Sequence, residues 1–249
     1  MNFQLRKHKI LGILAAKDSA EVADLASEIG TSEITIRRDL NTLANQGLLT
    51  RTHGGAIRND FDKPKIAFFD KNDVNADAKE EVAQKASEFI KDGDVIFLDC
   101  GSTVFRMCKY LKNRKIKVVT NSIPVLFELL NSEVQINFAG GEIDALRQAA
   151  HGLTASEHIA RYKADKAFVG VDGISIANGL SANSEKEAEM TMAMTANAKE
   201  TYFLCDSSKF ETDKYFRFAD ISLVKSIVCD SKLQSIFKEN YEAKGVQFI

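Results

Sequence analysis

Cysteine, histidine and proline are all scarce in this chain, and each scarcity removes a class of protein. The four cysteines, Cys100, Cys108, Cys205 and Cys229, show no CxxC spacing and lie mostly inside apolar patterns, so they read as reduced, buried thiols and not as a disulfide framework. The four histidines, His8, His53, His151 and His158, form no cluster with metal-ligand spacing, and neither a metal nor a cofactor is expected. No apolar run approaches the roughly 20 residues that cross a bilayer, and no signal-peptide pattern opens the chain. The expectation is a cytoplasmic protein without a membrane partner. Internal repeats and low-complexity tracts are also missing. One of the only two prolines stands in the polar stretch RNDFDKPK, Arg58 to Lys65, which marks a linker.

What is present is uneven in charge. The net charge of −2 conceals a basic start: residues 1 to 58 carry eight Lys or Arg against six Asp or Glu, leaving −4 for the rest. With 249 residues and 45% apolar content, two ordinary globular domains are expected.

The basic part has the pattern of a DNA reader. Ile10, Leu11 and Leu14 mark a first amphipathic helix, and Val22, Leu25, Ala26 and Ile29 a second. Gly30 and Thr31 then break the pattern before a third helix on which Ile36, Leu40 and Leu43 recur at helical spacing. Ser32 suits its N-cap. Thr35, Arg37, Arg38, Asn41 and Thr42 are left on the outer side, where a recognition helix meets base edges. The same basic face can be a solvated surface, with Arg37 paired to Glu33 or Asp39. Beyond Gly47, Leu48 to Arg51 read as a strand and His53, Gly54 and Gly55 turn the chain back through Ala56 and Ile57. Such a hairpin is a wing, bringing Arg51 and His53 to phosphate or the minor groove.

The remainder alternates strands and helices. Strands are expected at Val95 to Leu98, Lys117 to Thr120, Val134 to Ala139, Lys166 to Val171, Thr201 to Asp206, Ile227 to Asp230 and Val246 to Ile249. Helices are expected at Lys79 to Ile90, Thr103 to Leu111, Pro124 to Leu130, Thr154 to Tyr162, Ser184 to Ala198 and Lys232 to Tyr241. Continuous apolar strands separated by helices imply an α/β domain with a largely parallel sheet covered on both faces.

Ligands of such sheets bind beyond the carboxyl ends of the strands, and the residues there are polar and rich in glycine. The first strand runs into Asp99-Cys100-Gly101-Ser102-Thr103, with a glycine for close approach and two hydroxyls at a helix start, the requirements of an anion site. Further loops hold Thr120, Asn121 and Ser122, then Gly140 and Gly141, then Asp172, and finally Lys209 as a counter-charge; Glu185 follows at the start of a helix. Their convergence implies a small-molecule pocket.

Taken together, TIRRDL at Thr35 to Leu40, RTHGGA at Arg51 to Ala56, DCGST, VVTNS at Val118 to Ser122, AGG at Ala139 to Gly141, DKAFVGVDGIS at Asp165 to Ser175 and DSSKF at Asp206 to Phe210 resemble the DeoR family of transcription regulators along nearly the whole chain. The resemblance implies a winged helix-turn-helix domain over residues 1–57, a linker over 58–65, and over 66–249 a sensor domain similar to ribose-5-phosphate isomerase. It implies a repressor of carbohydrate genes acting on double-stranded operator DNA and controlled by a phosphorylated sugar; because one small reading head contacts too little DNA to select a site in a genome, a homodimer or homotetramer is expected, and no enzymatic activity is expected. The chain departs from the family where an arginine commonly stands three residues beyond the paired glycines: Asp144 is there, and Arg147 follows later.

Two other readings use the same residues. In a sugar-phosphate isomerase, Asp172 and Lys209 would assist proton transfer and Glu185 would be the base, but the acidic motif similar to DGAD reads Asp172-Gly173-Ile174-Ser175 and lacks its second carboxylate. A redox-responsive regulator would use Cys100, beside the pocket loop, as its sensor.

Overall fold

A computed structural model describes residues 3–17, 19–45, 49–52, 54–58 and 74–249. The chain divides into two compact units, residues 1–65 and 66–249. Residues 59–65 of the expected linker, Pro64 among them, lie outside the described residues.

The first unit holds α1 (Phe3–Lys17), β1 (Ser19–Glu21), α2 (Val22–Ile29), α3 (Glu33–Asn45), β2 (Leu49–Arg51) and β3 (Gly55–Arg58). The apolar residues that recur along the three helices meet in one core, where Ile10, Leu25, Ile36, Leu40 and Leu43 are completely buried. The turn between α2 and α3 is made by Gly30, whose φ of 74° is left-handed and whose N–H donates to the Ala26 carbonyl, a helix stop that suits glycine. The sequence pattern did not disclose β1. It pairs antiparallel with β3, which also pairs with β2, giving a three-stranded sheet in the order β1-β3-β2. Gly55 is needed at this junction, because a Cβ there would stand 2.1 Å from the Ala20 carbonyl oxygen.

The second unit contains α4 (Ala76–Ser87), β4 (Val95–Leu98), α5 (Ser102–Phe105), α6 (Cys108–Leu111), β5 (Lys117–Thr120), α7 (Ile123–Leu129) and β6 (Gln135–Phe138). There follow β7 (Glu142–Asp144), β8 (Ala149–His151), α8 (Leu153–Ala160), β9 (Ala164–Gly170), β10 (Gly173–Ser175), β11 (Gly179–Ala182) and α9 (Glu185–Ala196). The chain closes with β12 (Ala198–Cys205), β13 (Phe216–Ala219), β14 (Ser226–Cys229), α10 (Ser235–Glu242) and β15 (Gln247–Phe248). Seven strands form one sheet in the order β15-β14-β12-β9-β4-β5-β6, and every pairing in it is parallel.

Alternation along the strands explains their continuous apolar character. Ile96, Leu98, Val118, Phe168, Tyr202, Leu204 and Val228 face a layer built from α4 to α7, whereas Phe97, Val119, Val169, Phe203, Cys205 and Ile227 face α8, α9 and α10. Three features go beyond the pattern. The expected helix Thr103 to Leu111 is two short helices, α5 and α6, joined where Met107 N–H donates to the Val104 carbonyl. A hairpin, β7–β8, projects after β6, and β10, β11 and β13 make a separate antiparallel sheet.

The strand order locates the ligand edge. From β4 the chain moves outward through β5 to β6, then returns to the other side of β4 with β9 and continues through β12 and β14 to β15. The order reverses between β4 and β9, and a crevice opens at the carboxyl ends of such a pair.

Candidate functional site

In the first unit, α3 presents Ile34, Arg37, Arg38 and Asn41 on one exposed face, while Ile36, Leu40 and Leu43 anchor the opposite one. The Ser32 hydroxyl accepts from the Thr35 backbone N–H at 3.3 Å and lies 2.9 Å from its hydroxyl, so both residues fix the helix start. Arg37 pairs with Glu33 at 3.1 Å across one exposed turn. Asp39 points inward and takes a two-pronged contact from Arg6, with Nε at 2.6 Å and Nη2 at 3.1 Å, which ties α1 to α3. Arg38 projects outward, and its carbonyl accepts from the Thr42 hydroxyl.

In the hairpin, Arg51 Nη1 donates to the Gly55 carbonyl at 2.9 Å, bracing the turn. Gly54 is exposed and its carbonyl accepts from Val22 N–H, but Gly55 is buried against β1, where it supports the hairpin instead of facing outward. His53 lies outside the described residues. The residue that sequence reasoning missed is Ile34, an apolar side chain 70% exposed on the outward face of α3. Its exposure follows from the helical phase set by Ile36 and Leu40, so the signal was present in the spacing.

In the second unit, a cavity of about 270 Å³ opens beside the β4/β9 reversal. Of the residues expected there, Asp99, Gly101, Ser102, Thr103, Asp172 and Lys209 line it. Asp99 organises the crevice. Its Oδ1 accepts from Gly101 N–H at 2.7 Å and its Oδ2 from Gly170 N–H at 2.6 Å, so one carboxylate holds the loop after β4 to the end of β9. The sequence reading passed over three charged residues in the lining: Lys79, Arg147 and Glu187. Lys79, on α4 and only 4% exposed, donates to the Ser102 hydroxyl at 3.1 Å. Arg147 enters from the β7–β8 turn and places Nη2 2.7 Å from Glu187 Oε2 and 3.7 Å from Asp172 Oδ2.

The other expected residues are not brought to the cavity. Thr120, Asn121 and Ser122 are fully buried because the β7–β8 hairpin folds over them. Asn121 exchanges bonds with the Ala150 backbone, Thr120 Oγ1 accepts from Ser122 N–H, and the Ser122 hydroxyl caps α7 by accepting from Val125 N–H. Gly140 and Gly141 lead into that hairpin, and a Cβ on Gly141 would come within 2.5 Å of the His151 carbonyl oxygen. Glu185 meets the hydroxyl of Tyr215 at 3.3 Å, away from the lining, and Glu187, half a turn on, is the acid that reaches it.

Cys108, Cys205 and Cys229 are buried as expected, whereas Cys100 is only partly buried; its thiol is held well above its ordinary value, first by desolvation at the sulfur and then by the carboxylates of Asp99, Glu187 and Asp172. A thiol kept protonated is a poor nucleophile toward oxidants. Ser175, at the position where an isomerase motif would bring its second carboxylate, donates to Asp213 at 2.7 Å. Among the described residues no group of acids, histidines and cysteines is arranged to hold a metal, and no helix is long and apolar enough to cross a membrane.

Comparison with known proteins covers both units. The DeoR-like helix-turn-helix domain matches residues 6–61, and the DeoR C-terminal sensor domain matches residues 74–231. A lactose phosphotransferase system repressor of Lactococcus lactis is 34% identical over 246 residues, spanning 97% of this chain and 96% of that protein. The L-fucose operon activator of Haemophilus influenzae is 34% identical over 250 residues and spans 100% of both. Among solved structures, the ribose 5-phosphate isomerase A of Methanocaldococcus jannaschii is 23% identical, with a TM-score of 0.41 over 55% of each chain.

Proposed function

The chain belongs to the DeoR family of transcription regulators, and on that premise we propose that it represses carbohydrate genes by binding operator DNA through α3 and the β2–β3 hairpin. Arg38 and Asn41 read base edges, Arg37 exchanges Glu33 for a phosphate or base, and Ile34 offers an apolar contact of the kind a thymine methyl takes. Gly54, Arg51 and His53 hold the wing near the backbone. A single reading head contacts too little DNA to select one site in a genome, so the acting species is a homodimer or homotetramer in the cytoplasm. Arg58, expected as the first linker residue, closes β3, so the linker runs over residues 59–65 and joins the reading head to the sensor.

The effector is a phosphorylated sugar seated at the β4/β9 cavity. The observation that carries this reading is the buried Lys79 ammonium at the Ser102 hydroxyl, in a cavity that also exposes Thr103 and Lys209. A cation beside hydroxyls suits a phosphate ester, and the neighbouring carboxylates suit sugar hydroxyls.

The experiment selects genomic fragments with purified protein, then titrates the recovered operator complex with phosphorylated sugars, each paired with its unphosphorylated parent. One phosphorylated sugar is expected to change operator occupancy while its parent does not. Arg38→Ala is expected to lower operator affinity by about 1 to 3 kcal/mol without unfolding the chain. Failure to recover any preferred fragment, or a response to the unphosphorylated parent alone, overturns the proposal.

A further inference from the structure

The charged residues around the cavity do unequal work. Three cations, Lys79, Arg147 and Lys209, and three carboxylates, Asp99, Asp172 and Glu187, line it. Asp99 is engaged with two backbone N–H groups, and Lys79 stands at the Ser102 hydroxyl. The Arg147 guanidinium lies against two carboxylates of the protein itself, with Arg147 and Glu187 side chains only 16% and 15% exposed.

Several elements hold it there. Asp144 Oδ1 accepts from the backbone N–H groups of Leu146 and Arg147, which shapes the β7–β8 turn that delivers the side chain. Glu187 lies in the first turn of α9, where the helix dipole favours an anion. Asp172 follows β9 and accepts from Asn183 N–H at 3.3 Å. Three separately positioned segments therefore converge on one guanidinium, whose planar fork is suited to carboxylates.

We propose that Arg147, clamped by Glu187 and Asp172, is the specificity-determining residue that restricts this cavity to ligands with a single anionic group. The inference rests on the phosphorylated-sugar reading above. One phosphate seats near Lys79, Ser102 and Thr103. The remainder of the ligand then meets Glu187 and Asp172, carboxylates with about four acceptor sites each, which take hydroxyl donors readily. A second phosphate or a carboxylate in that place would have to separate Arg147 from Glu187 and then sit beside two like charges in a half-buried site. The ligand class is thus the phosphate monoester of a neutral polyhydroxy compound. Sugar bisphosphates and phosphorylated sugar acids are excluded.

The test measures binding to the full chain by calorimetry, using matched probes: glycerol 3-phosphate against 3-phosphoglycerate, fructose 6-phosphate against fructose 1,6-bisphosphate, and inorganic phosphate as the common reference. The native protein is expected to bind the member of a pair with one anionic group more tightly. Glu187→Gln, which keeps the shape and loosens the clamp on Arg147, is expected to move the ratio of dissociation constants toward the member with two anionic groups by about tenfold, the equivalent of one charge-assisted hydrogen bond. Asp172→Asn is a second variant in the same direction should Glu187→Gln melt early. Equal or tighter binding of the member with two anionic groups by the native protein, or an unchanged ratio in both variants, overturns the inference and leaves the cavity assignment standing. No binding of phosphate or of any ester overturns the cavity assignment and the inference with it.

Discussion

Replacing Asp99 by Asn separates two roles that a carboxylate at a cavity wall can have. Asp99 is 7% exposed, and its two oxygens accept from Gly101 N–H at 2.7 Å and Gly170 N–H at 2.6 Å. An amide keeps one acceptor but turns an NH2 toward the second backbone donor, so one hydrogen bond to a charged acceptor is lost and one buried N–H is left unmatched. Hydrogen bonds to charged groups contribute about 1.5 to 3 kcal/mol, and an orphaned buried donor costs about 1 to 3 kcal/mol; these overlap, and about 3 kcal/mol is the expected loss. A unit of this size shifts by roughly 2 to 4 °C per kcal/mol, so the sensor transition should fall by about 6 to 12 °C in calorimetry of the full chain. Inorganic phosphate should still raise the melting temperature of Asp99→Asn, because the carboxylate braces the loop and does not itself hold the anion. An unchanged melting temperature with the phosphate response abolished would refute this reasoning and make Asp99 a ligand contact.

Leu40→Ala removes a completely buried side chain from the small core of residues 1–65 and should cost about 2 to 5 kcal/mol against a stability of about 3 to 10 kcal/mol for a unit of that length. Melting of residues 1–65 should move to markedly lower temperature and operator binding should weaken while melting of the sensor stays; a coincident fall of both would show that the units do not melt separately. His151 is 1% exposed and burial lowers its pKa below the ordinary 6.5, so the unfolded chain takes up a proton near that pH before the folded one does. Sensor stability should therefore be complete above about pH 6.5 and decline as the pH falls through the lowered value, and His151→Gln should flatten that decline; an identical pH profile in the variant counts against the assignment. Cys100→Ser should retain operator binding and effector response, and peroxide should leave the native protein's operator affinity unchanged, since desolvation at the sulfur and the carboxylates of Asp99, Glu187 and Asp172 favour the protonated thiol; loss of affinity on oxidation in the native chain alone would restore the redox reading.

The inner parallel strands β4, β5 and β14 were legible because nearly every residue along each is buried on one face or the other. Val-Ile-Phe-Leu, Lys-Val-Val-Thr and Ser-Ile-Val-Cys are apolar runs with no other use in a chain of this kind, and the observed bounds differ from the expected ones by up to three residues. The break between α5 and α6 was hidden, since Val104, Met107, Cys108 and Leu111 are buried and would show the same spacing in one unbroken helix. β7, β8, β10 and β11 have three or four residues each, and β11 finds β13 more than thirty residues away, so local pattern does not reveal them. The same limit shaped the site. Every strand end looked equivalent in sequence, and only the order β9-β4-β5 distinguishes the reversal beside Asp99 from the ordinary neighbour at Thr120 to Ser122, whose loop the hairpin covers. Lys79 and Arg147 come from a helix interior and a hairpin turn, and no rule about strand ends selects them.

The departure at position 144 becomes intelligible through the same hairpin. An arginine three residues beyond the paired glycines would bring its charge from β7 itself; here Asp144 occupies the end of β7 and spends its Oδ1 on the N–H groups of Leu146 and Arg147. The positive charge at the cavity is supplied from the turn, by Arg147, and the acid at position 144 is what shapes that turn. Gly141 permits the hairpin to close on His151, and the hairpin in turn seals Thr120 to Ser122 away from ligand. Asp144 therefore shapes the turn from which Arg147 reaches the cavity. Placing arginine at 144 would remove both hydrogen bonds of the turn and set a second guanidinium near the buried His151, whereas the paired change would be needed to move the charge from turn to strand.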